Sequence, residues 1–316
     1  MEIKQKIKIF LEFVELRTKV ASVFPMLAGF LWTYGHFGRL NWLNSTLFVI
    51  AVLLFDMCTT AINNTMDFHK AVDLDYKTQE NVLGNYQLNY RRMVQIVLAL
   101  LISSVVVSLF LVGLTDGLLV VLGALCFIVG IGYTYGPMPI SRLPLGEVFS
   151  GVTMGFGIFY LAIYMTAYDQ LLASSWGAGV VSIQFYWGLT LQILWASLPL
   201  VCTIAAIMLA NNTCDLETDV RNQRFTLVYY IGKRSAVALY TVLQLIPWLI
   251  WLSLILFGEL PLWALGAGVA FIPHWKSVQA FRAKQVKSET FVESVKSFVL
   301  VASVYCVSLV LALILG

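Results

Sequence analysis

The sequence predicts an all-α, polytopic integral membrane protein that forms a single domain over residues 1–316. Composition is the first observation: 59% of the residues are hydrophobic and only 12% are charged, whereas a soluble domain carries roughly 25% charged residues. The second observation is that apolar runs long enough to span a bilayer recur along the whole chain. No segment has the composition of a separate soluble domain, so the whole chain is expected to lie in or against a membrane.

Nine transmembrane helices are predicted from these apolar runs, with ends placed to within about three residues. In chain order they are 18–36, 45–66, 93–114, 117–135, 145–167, 184–211, 235–257, 260–275 and 293–315. The residues before the first span lack the apolar core and cleavage site of a signal peptide. Their pattern is basic and amphipathic, so we expect them to lie at the membrane surface.

The basic residues predict the orientation of the chain. Nineteen of the 20 Lys and Arg residues fall in the N-terminal segment or in the second, fourth, sixth and eighth connections, and only Arg39 falls elsewhere. Lys and Arg accumulate in cytoplasmic connections. The N-terminus is therefore predicted to lie inside the cell membrane and the C-terminus outside, which requires an odd number of spans.

Two similar motifs end the second and sixth spans, on the predicted cytoplasmic side. The first is Asn63-Asn64-Thr65-x-Asp67 and the second is Asn211-Asn212-Thr213-x-Asp215, identical except at the variable position. Their match suggests an internal repeat that relates spans two to five with spans six to nine. Because residues four apart lie on one face of a helix, each motif presents an amide and a carboxylate together.

Further carboxylates extend both faces. Asp219 follows one turn after Asp215, and we expect that helix to continue without a bend. Asp73 cannot share the face of Asp67 on a straight helix, so the first helix is predicted to bend or end near Ala71. Asp75 is an alternative to Asp73.

Oxygen ligands without His or thiolate suit Mg²⁺ that is held partly by substrate phosphates. The predicted metal ligands are Asn63, Asp67, Asp73, Asn211, Asp215 and Asp219. The alternative interpretation is that these Asp and Asn residues only cap helix ends at the interface. Two near-identical clusters at equivalent places in the chain favour the metal site.

Basic and aromatic residues near these motifs could bind the rest of a phosphate-bearing substrate. Lys and Arg can neutralise a departing diphosphate, and the candidates are Lys70, Arg221, Arg224 and Lys233, with Arg17 and Lys19 at the mouth of the first span. A Pro- and Gly-rich turn, Gly132 to Gly151, adds Tyr133, Tyr135, Arg142 and Glu147. These tyrosines could instead form an interfacial belt with a snorkelling Arg.

The paired motifs NNTMDFHKAVD and NNTCDLETD resemble those of the UbiA superfamily of intramembrane prenyltransferases. The N-x3-D-x5-D spacing of the first motif is similar to the MenA branch, the 1,4-dihydroxy-2-naphthoate polyprenyltransferases. The GYTYGPMPISRLPLGE turn and the early LRTK are similar to that branch too, although Thr18 stands where the branch usually has Pro.

The resemblance implies nine helices around a central cavity, with cytoplasmic cap loops and a lateral opening for an isoprenoid tail. It implies Mg²⁺-dependent transfer of a polyprenyl group from polyprenyl diphosphate to 1,4-dihydroxy-2-naphthoate, with loss of carbon dioxide, in menaquinone biosynthesis. The implied catalytic residues are Asp67, Asp73, Asp215 and Asp219. The sequence does not indicate which residue acts as a general base. The resemblance also implies contact with the lipid bilayer. No nucleic-acid partner is expected.

Two alternatives stay open at this point. Another member of the superfamily would keep both motifs and use 4-hydroxybenzoate, homogentisate or haem as the acceptor. A transporter would also place carboxylates in spans, but near mid-membrane at broken helices, whereas these carboxylates cluster at one face.

Overall fold

The computed structural model describes residues 3–71, 75–177 and 179–315, without the side chains of Arg17, Tyr76 and Glu80. This part of the chain is mostly helical. Its α-helices are α1 Ile3–Phe13, α2 Val20–Phe37, α3 Trp42–Lys70, α4 Val82–Asn85, α5 Tyr90–Leu114, α6 Leu118–Thr134, α7 Gly146–Ser150, α8 Ile158–Ala167, α9 Trp187–Cys214, α10 Leu216–Arg221, α11 Leu227–Leu256, α12 Phe271–Ala283 and α13 Phe291–Leu315. Short 3₁₀ or π segments are Leu16–Lys19, Tyr76–Glu80, Ile140–Arg142, Gly151–Gly157, Tyr168–Gln170 and Leu262–Ala270.

Within the described ranges, six helices are long and apolar enough to cross a membrane. They are Trp42–Lys70, Tyr90–Leu114, Gly146–Gln170, Trp187–Cys214, Leu227–Leu256 and Phe291–Leu315. The shorter apolar helix α6 and the helices α2 and α12 overlap the other three predicted spans. The chain is therefore an integral membrane protein, and the total of nine spans stays a prediction.

Helix α3 carries the first motif at its C-terminal end. It starts after Asn41, whose side chain accepts a hydrogen bond from the Asn44 amide at 3.1 Å and caps the helix. It ends at Lys70, because Ala71 has an extended backbone with φ −63° and ψ 128°. The predicted end of this helix near Ala71 is confirmed.

The helix that carries the second motif is interrupted, so the prediction of an unbent helix is wrong. Helix α9 ends at Cys214 and α10 begins at Leu216, with Asp215 between them at φ −93° and ψ 5°. Asp has a low preference for helix interiors because its side chain competes for backbone groups. The break is mild, since the Asp215 amide still donates to the Asn211 carbonyl at 3.0 Å and the Asp219 amide to the Asp215 carbonyl at 2.7 Å.

A β-hairpin lies at the opposite end of the molecule from the motifs. Its antiparallel strands, β1 Leu172–Gly177 and β2 Val180–Phe185, pair from Leu172–Phe185 to Gly177–Val180. The hairpin was not predicted, and it includes the first two residues of the predicted sixth span, which begins instead at Trp187. Its alternating Ser, Trp, Val and Ile residues suit a strand as well as the start of an apolar helix.

The hairpin is held to the end of α5 by one carboxylate. Asp116 accepts hydrogen bonds from the Ser174 amide and hydroxyl, both at 2.8 Å. Burial alone would raise the pKa of Asp116, but the Leu118 and Ser174 hydrogen bonds outweigh it and lower the pKa below its usual value. The connection therefore has a fixed anionic anchor at neutral pH.

Close helix packing places α9 against the segment Gly151–Gly157. A Cβ atom at Gly155 would lie 2.5 Å from the Val201 Cα atom, nearer than any real contact. Small residues allow helices in membranes to approach in this way. Since the second motif ends α9, this contact also fixes the position of the motif.

We expect Gly155→Ala to destabilise the fold, because the backbones of the two segments must separate to admit a methyl group. Overpacking of this kind costs about 1–3 kcal/mol, measurable as a lower thermal unfolding midpoint in detergent. Gly157→Ala is the matched control in the same segment, since its Cβ would meet only the Val152 carbonyl oxygen at 3.7 Å. Equal midpoints for the two variants would contradict the packing argument.

A cavity of about 410 Å³ lies away from the motifs, between α2, the end of α11 and α13. Glu259 lines it, accepting a hydrogen bond from Gln192 at 2.6 Å and lying 3.3 Å from His36. The central cavity near the motifs stays a prediction.

Candidate active site

The two motifs converge on one arginine. The Arg224 Nη1 atom lies 3.6 Å from the Asp67 Oδ2 atom, and its Nε atom lies 3.5 Å from the Asp219 Oδ1 atom. Arg224 follows α10 and its amide donates to the Asp219 carbonyl at 2.8 Å, which fixes it beside the second motif. Carboxylates from separate helices, α3 and α10, are therefore brought to one point at the same end of the molecule.

A second cation lies on the other part of the second motif. The Lys287 ammonium donates to the Asp215 Oδ2 atom at 2.5 Å and to the Asn211 Oδ1 atom. These are the amide and carboxylate that the helical spacing predicted to lie on one face. The predicted pair does converge, and in this structure an ammonium lies between its two oxygens.

The first motif presents Asn63 and Asp67 on the end of α3. The Asn63 Oδ1 atom accepts a hydrogen bond from the Thr134 hydroxyl at 3.3 Å, at the end of α6. The positive charges of Arg224, Arg142 and Lys70 act on the Asp67 carboxylate, with Arg224 the strongest. Lys70 is half-buried beside it. The charges of three predicted substrate-binding residues therefore act on one predicted metal ligand.

The second asparagine of each motif makes a contact that the sequence did not indicate. Asn64 donates to the Glu15 Oε1 atom at 3.2 Å and to the Phe13 carbonyl at 2.9 Å. Asn212 donates to the Glu147 Oε1 atom at 2.8 Å. In both halves, a buried asparagine thus ties the motif helix to a glutamate near the start of a neighbouring predicted span.

Glu15 is a residue that the sequence analysis missed. It has a left-handed backbone, φ 47° and ψ 59°, which is uncommon for a residue other than Gly. Its carbonyl accepts from the Thr18 amide at 3.0 Å and the Thr18 hydroxyl at 2.8 Å, which holds this turn. Burial raises the pKa of Glu15, and the Asn64 hydrogen bond and the Lys19 charge oppose that rise.

Lys19 lies in a buried ion pair. Its ammonium donates to the Asp56 Oδ1 atom at 2.7 Å and to the Thr60 hydroxyl at 2.6 Å, and only 4% of the residue is exposed. The Ser22 hydroxyl also donates to the other Asp56 carboxylate oxygen. Asp56 and Thr60 are four residues apart and so lie on one face of α3, and this polar face holds Lys19.

The predicted residues of the turn between α6 and α7 differ in how close they lie to the site. The Tyr133 hydroxyl is close to the site, donating to the Met208 sulfur at 3.4 Å, whereas Tyr135 is 59% exposed. The Arg142 Nη1 atom donates to the Asn222 carbonyl at 3.3 Å, and the Arg142 carbonyl accepts from the Phe225 amide at 3.2 Å. Arg142 therefore joins this turn to the loop after the second motif.

The other predicted site residues are Asp73, Arg17, Arg221 and Lys233. Asp73 lies outside the described residues, and so does the side chain of Arg17. Arg221 contacts the Thr218 hydroxyl at 3.3 Å, and Lys233 lies 3.8 Å from Glu217. These last two contacts are with residues other than the motif aspartates.

The oxygen donors of the motif side chains are of the kind that a hard divalent cation prefers. Among the described His, Cys, Asp and Glu residues, no three are close enough to share one ion. The available ligands are the Asn211 and Asp215 oxygens, which already hold a cationic group, and Asp219, whose Oδ2 atom has no hydrogen-bond partner within the described ranges. Burial raises the pKa of Asp219 to about 6 against the opposing Arg224 charge, and a bound cation would stabilise its ionised form.

The fold and this site define a class of protein. The UbiA prenyltransferase family model matches residues 22–314, and the chain belongs to this family. It is a prenyltransferase with transmembrane helices.

Named relatives lie within the same family. The chain is 24% identical over 270 residues to 1,4-dihydroxy-2-naphthoate octaprenyltransferase of Bacillus subtilis (strain 168), covering 84% of this chain and 78% of the relative. It is 27% identical over 235 residues to the protein of the same name from Mycobacterium leprae (strain TN), covering 72% of this chain and 70% of the relative.

A solved structure has the same fold. The UbiA homologue from Archaeoglobus fulgidus bound to GPP and Mg²⁺ superposes with a TM-score of 0.66 at 11% identity, over 97% of this chain and 100% of that chain. At this identity the likeness establishes the fold alone.

Proposed function

We propose that this protein transfers a polyprenyl group from polyprenyl diphosphate to 1,4-dihydroxy-2-naphthoate, with loss of carbon dioxide, to give demethylmenaquinol, the reduced form of demethylmenaquinone. The observation that carries the proposal is the meeting of Asp67 and Asp219 at Arg224. Two carboxylate-bearing faces around a guanidinium form a site for an anion accompanied by a cation. The relatives named as 1,4-dihydroxy-2-naphthoate octaprenyltransferases support the choice of acceptor.

The proposed cofactor is Mg²⁺, which would neutralise the departing diphosphate and so favour cleavage of the carbon–oxygen bond. Residues that would hold it are Asn63, Asp67, Asp73, Asn211, Asp215 and Asp219. Arg224 and Lys70 carry positive charge next to Asp67 and bind the diphosphate oxygens. Arg142 contacts the loop that carries Arg224, through the Asn222 carbonyl and the Phe225 amide, and is proposed to position it for the substrate.

The acceptor ring reaches the allylic carbon from the side of the Tyr133 turn. The new carbon–carbon bond forms at the ring as diphosphate leaves, and the carboxylate of the naphthoate departs as carbon dioxide. Tyr133 lies near Met208 and Gly146, at the wall formed by α6, α7 and α9. Its hydroxyl, with Arg17, Lys19 and Tyr135 in the wider site, is proposed to orient substrate.

The excess of Lys and Arg on one set of connections supports an orientation in the cell membrane with the site on the cytoplasmic side and the N-terminus inside. The internal repeat of spans two to five with spans six to nine, within one domain, is part of the same proposal. The two Asn–Glu contacts agree with equivalent roles for the motifs.

The test is prenyl transfer by the purified protein in detergent, with and without Mg²⁺. 1,4-Dihydroxy-2-naphthoate and 4-hydroxybenzoate compete for one polyprenyl diphosphate. We expect a prenylated naphthoquinol that forms only with a divalent cation. If only 4-hydroxybenzoate is prenylated, the protein is a prenyltransferase but the proposed acceptor is wrong. If product forms equally well after the divalent cation is chelated, the proposed metal dependence is wrong.

A further inference from the structure

The connection between α12 and α13 brings a lysine over the second motif. Thr290 shapes this connection: its hydroxyl accepts from the Val286 amide at 3.0 Å and donates to the Lys284 carbonyl at 2.8 Å. The Thr290 amide also donates to the Val286 carbonyl at 2.9 Å. Lys287 therefore extends from a defined turn.

The contacts of Lys287 are those of a bound cation. Its ammonium donates to the Asn211 amide oxygen and to the Asp215 Oδ2 atom, at 2.5 Å for the latter, and lies 4.9 Å from the centre of the Phe291 ring. An aromatic face attracts cations through its quadrupole. The side chain is 46% exposed, so it can leave these partners without breaking a buried core.

The same two oxygens are proposed to bind Mg²⁺, so Lys287 and the metal exclude each other. A divalent ion has twice the charge of an ammonium and forms shorter contacts with carboxylates. When the metal arrives with a diphosphate, the ammonium must move away from Asp215. The diphosphate is then a new anionic partner for the Lys287 ammonium.

Lys287 is close enough to stay within the site after it moves. Its charge acts on Glu15 and Asp219 as well as on the residues that it touches. Its four-carbon stem is flexible and its ammonium offers three donors. An ammonium that leaves Asp215 can therefore reach a diphosphate held between the two motifs.

We propose that Lys287 is an exchangeable counter-ion and diphosphate ligand. Without substrate it occupies the Asn211–Asp215 half of the metal site, and with Mg²⁺ and donor bound it transfers to the diphosphate. The proposal rests on the metal-dependent function proposed above, but it is independent of which aromatic acceptor is used.

The experiment compares Lys287→Met with the wild-type protein in two binding measurements in detergent, without acceptor. The first follows free Mn²⁺ by electron paramagnetic resonance. Removal of a competing, partly exposed ion pair of about 0.2–1 kcal/mol should tighten Mn²⁺ binding by a factor of about 1.4 to 5. The second titrates inorganic diphosphate in the presence of saturating Mn²⁺, where loss of a charge-assisted hydrogen bond should weaken binding roughly tenfold.

Lys284→Met is the matched control, because Lys284 lies in the same connection and pairs with Glu289 at 2.6 Å instead of with the motif. It should leave both affinities unchanged, and Lys287→Arg should restore most of the diphosphate affinity. Opposite signs for metal and diphosphate affinity in Lys287→Met are the supporting result.

Equal Mn²⁺ affinity in wild type and Lys287→Met would overturn the counter-ion role, and equal diphosphate affinity would overturn the transfer. If the wild-type protein binds no Mn²⁺ with or without diphosphate, this proposal and the metal-dependent function both fail. If metal binding follows the expected pattern but no acceptor is prenylated, only the proposed function fails.

Discussion

Asp67→Asn and Asp215→Asn are each expected to lower prenyl transfer at least about a thousandfold at saturating Mg²⁺, since metal ions supply several kcal/mol of transition-state stabilisation and each 1.4 kcal/mol is a factor of ten. The amide keeps the shape of the side chain but removes the negative charge that the cation needs. Asp67 and Asp215 belong to different helices and contact different cationic side chains. Loss of activity in both variants would show that the two motifs form one site.

The control for these variants is Asp169→Asn. Asp169 is an exposed residue that follows α8, at the end of the molecule away from the motifs. Its turnover should equal that of the wild type, and all three variants should have similar amounts of folded protein by size-exclusion chromatography. Turnover within a few-fold of wild type in both motif variants would refute the proposed active site.

Lys19→Met is expected to cause the largest loss of stability. It leaves the Asp56 carboxylate buried without its ammonium partner, and breaking a buried pair in this way costs about 3–5 kcal/mol. Lys19 and Asp56 side chains are only 5% and 14% exposed, so solvent cannot replace the lost contact. The measurement is the thermal unfolding midpoint in detergent.

A double variant separates the ion pair from a role in catalysis. Lys19→Met combined with Asp56→Leu should recover most of the lost stability, because apolar residues of similar volume often replace a buried pair without loss. If Lys19 binds substrate as well, the recovered protein will have a raised KM for the donor. A double variant as unstable as Lys19→Met would show that the pair is not the source of the effect.

The sequence predicted the features that depend on local pattern. The end of α3 near Ala71 followed from the spacing of Asp67 and Asp73, and the pairing of Asn211 with Asp215 followed from the helical period. The concentration of carboxylates at one end followed from the position of each motif at the end of an apolar run. These inferences use residues within a turn or two of each other.

Contacts between distant segments could not be predicted in the same way. Glu15 lies 49 positions from Asn64, and Lys287 lies 72 positions from Asp215. Lys287 was one of five basic residues in the last predicted cytoplasmic connection, and nothing in its neighbours distinguishes it. Glu15 could have been noticed as an acidic residue next to the start of a span, but its contact with Asn64 depends on the packing of this segment against α3.

The sequence did not indicate the hairpin or the break between α9 and α10, for different physical reasons. The residues of β2 are apolar enough to continue a helix, and only the pairing with β1 and the Asp116 anchor favour the strand. At Asp215 the helical hydrogen bonds persist on both sides, so period-based reasoning detects no interruption.

The lengths of α3 and α9 set the depth at which chemistry occurs. Each helix begins with an exposed tryptophan, Trp42 or Trp187, a residue that favours the membrane interface. Asp67 lies about 37 Å along α3 from Trp42, at 1.5 Å per residue, which exceeds a hydrocarbon thickness of about 30 Å even with a tilt near 20°. The carboxylates therefore stand at the level of the lipid headgroups on the opposite surface. The proposed donor, an isoprenoid diphosphate dissolved in the bilayer, would have its phosphates at that level and its chain below. Its reactive carbon would then reach the site by lateral diffusion without leaving the membrane.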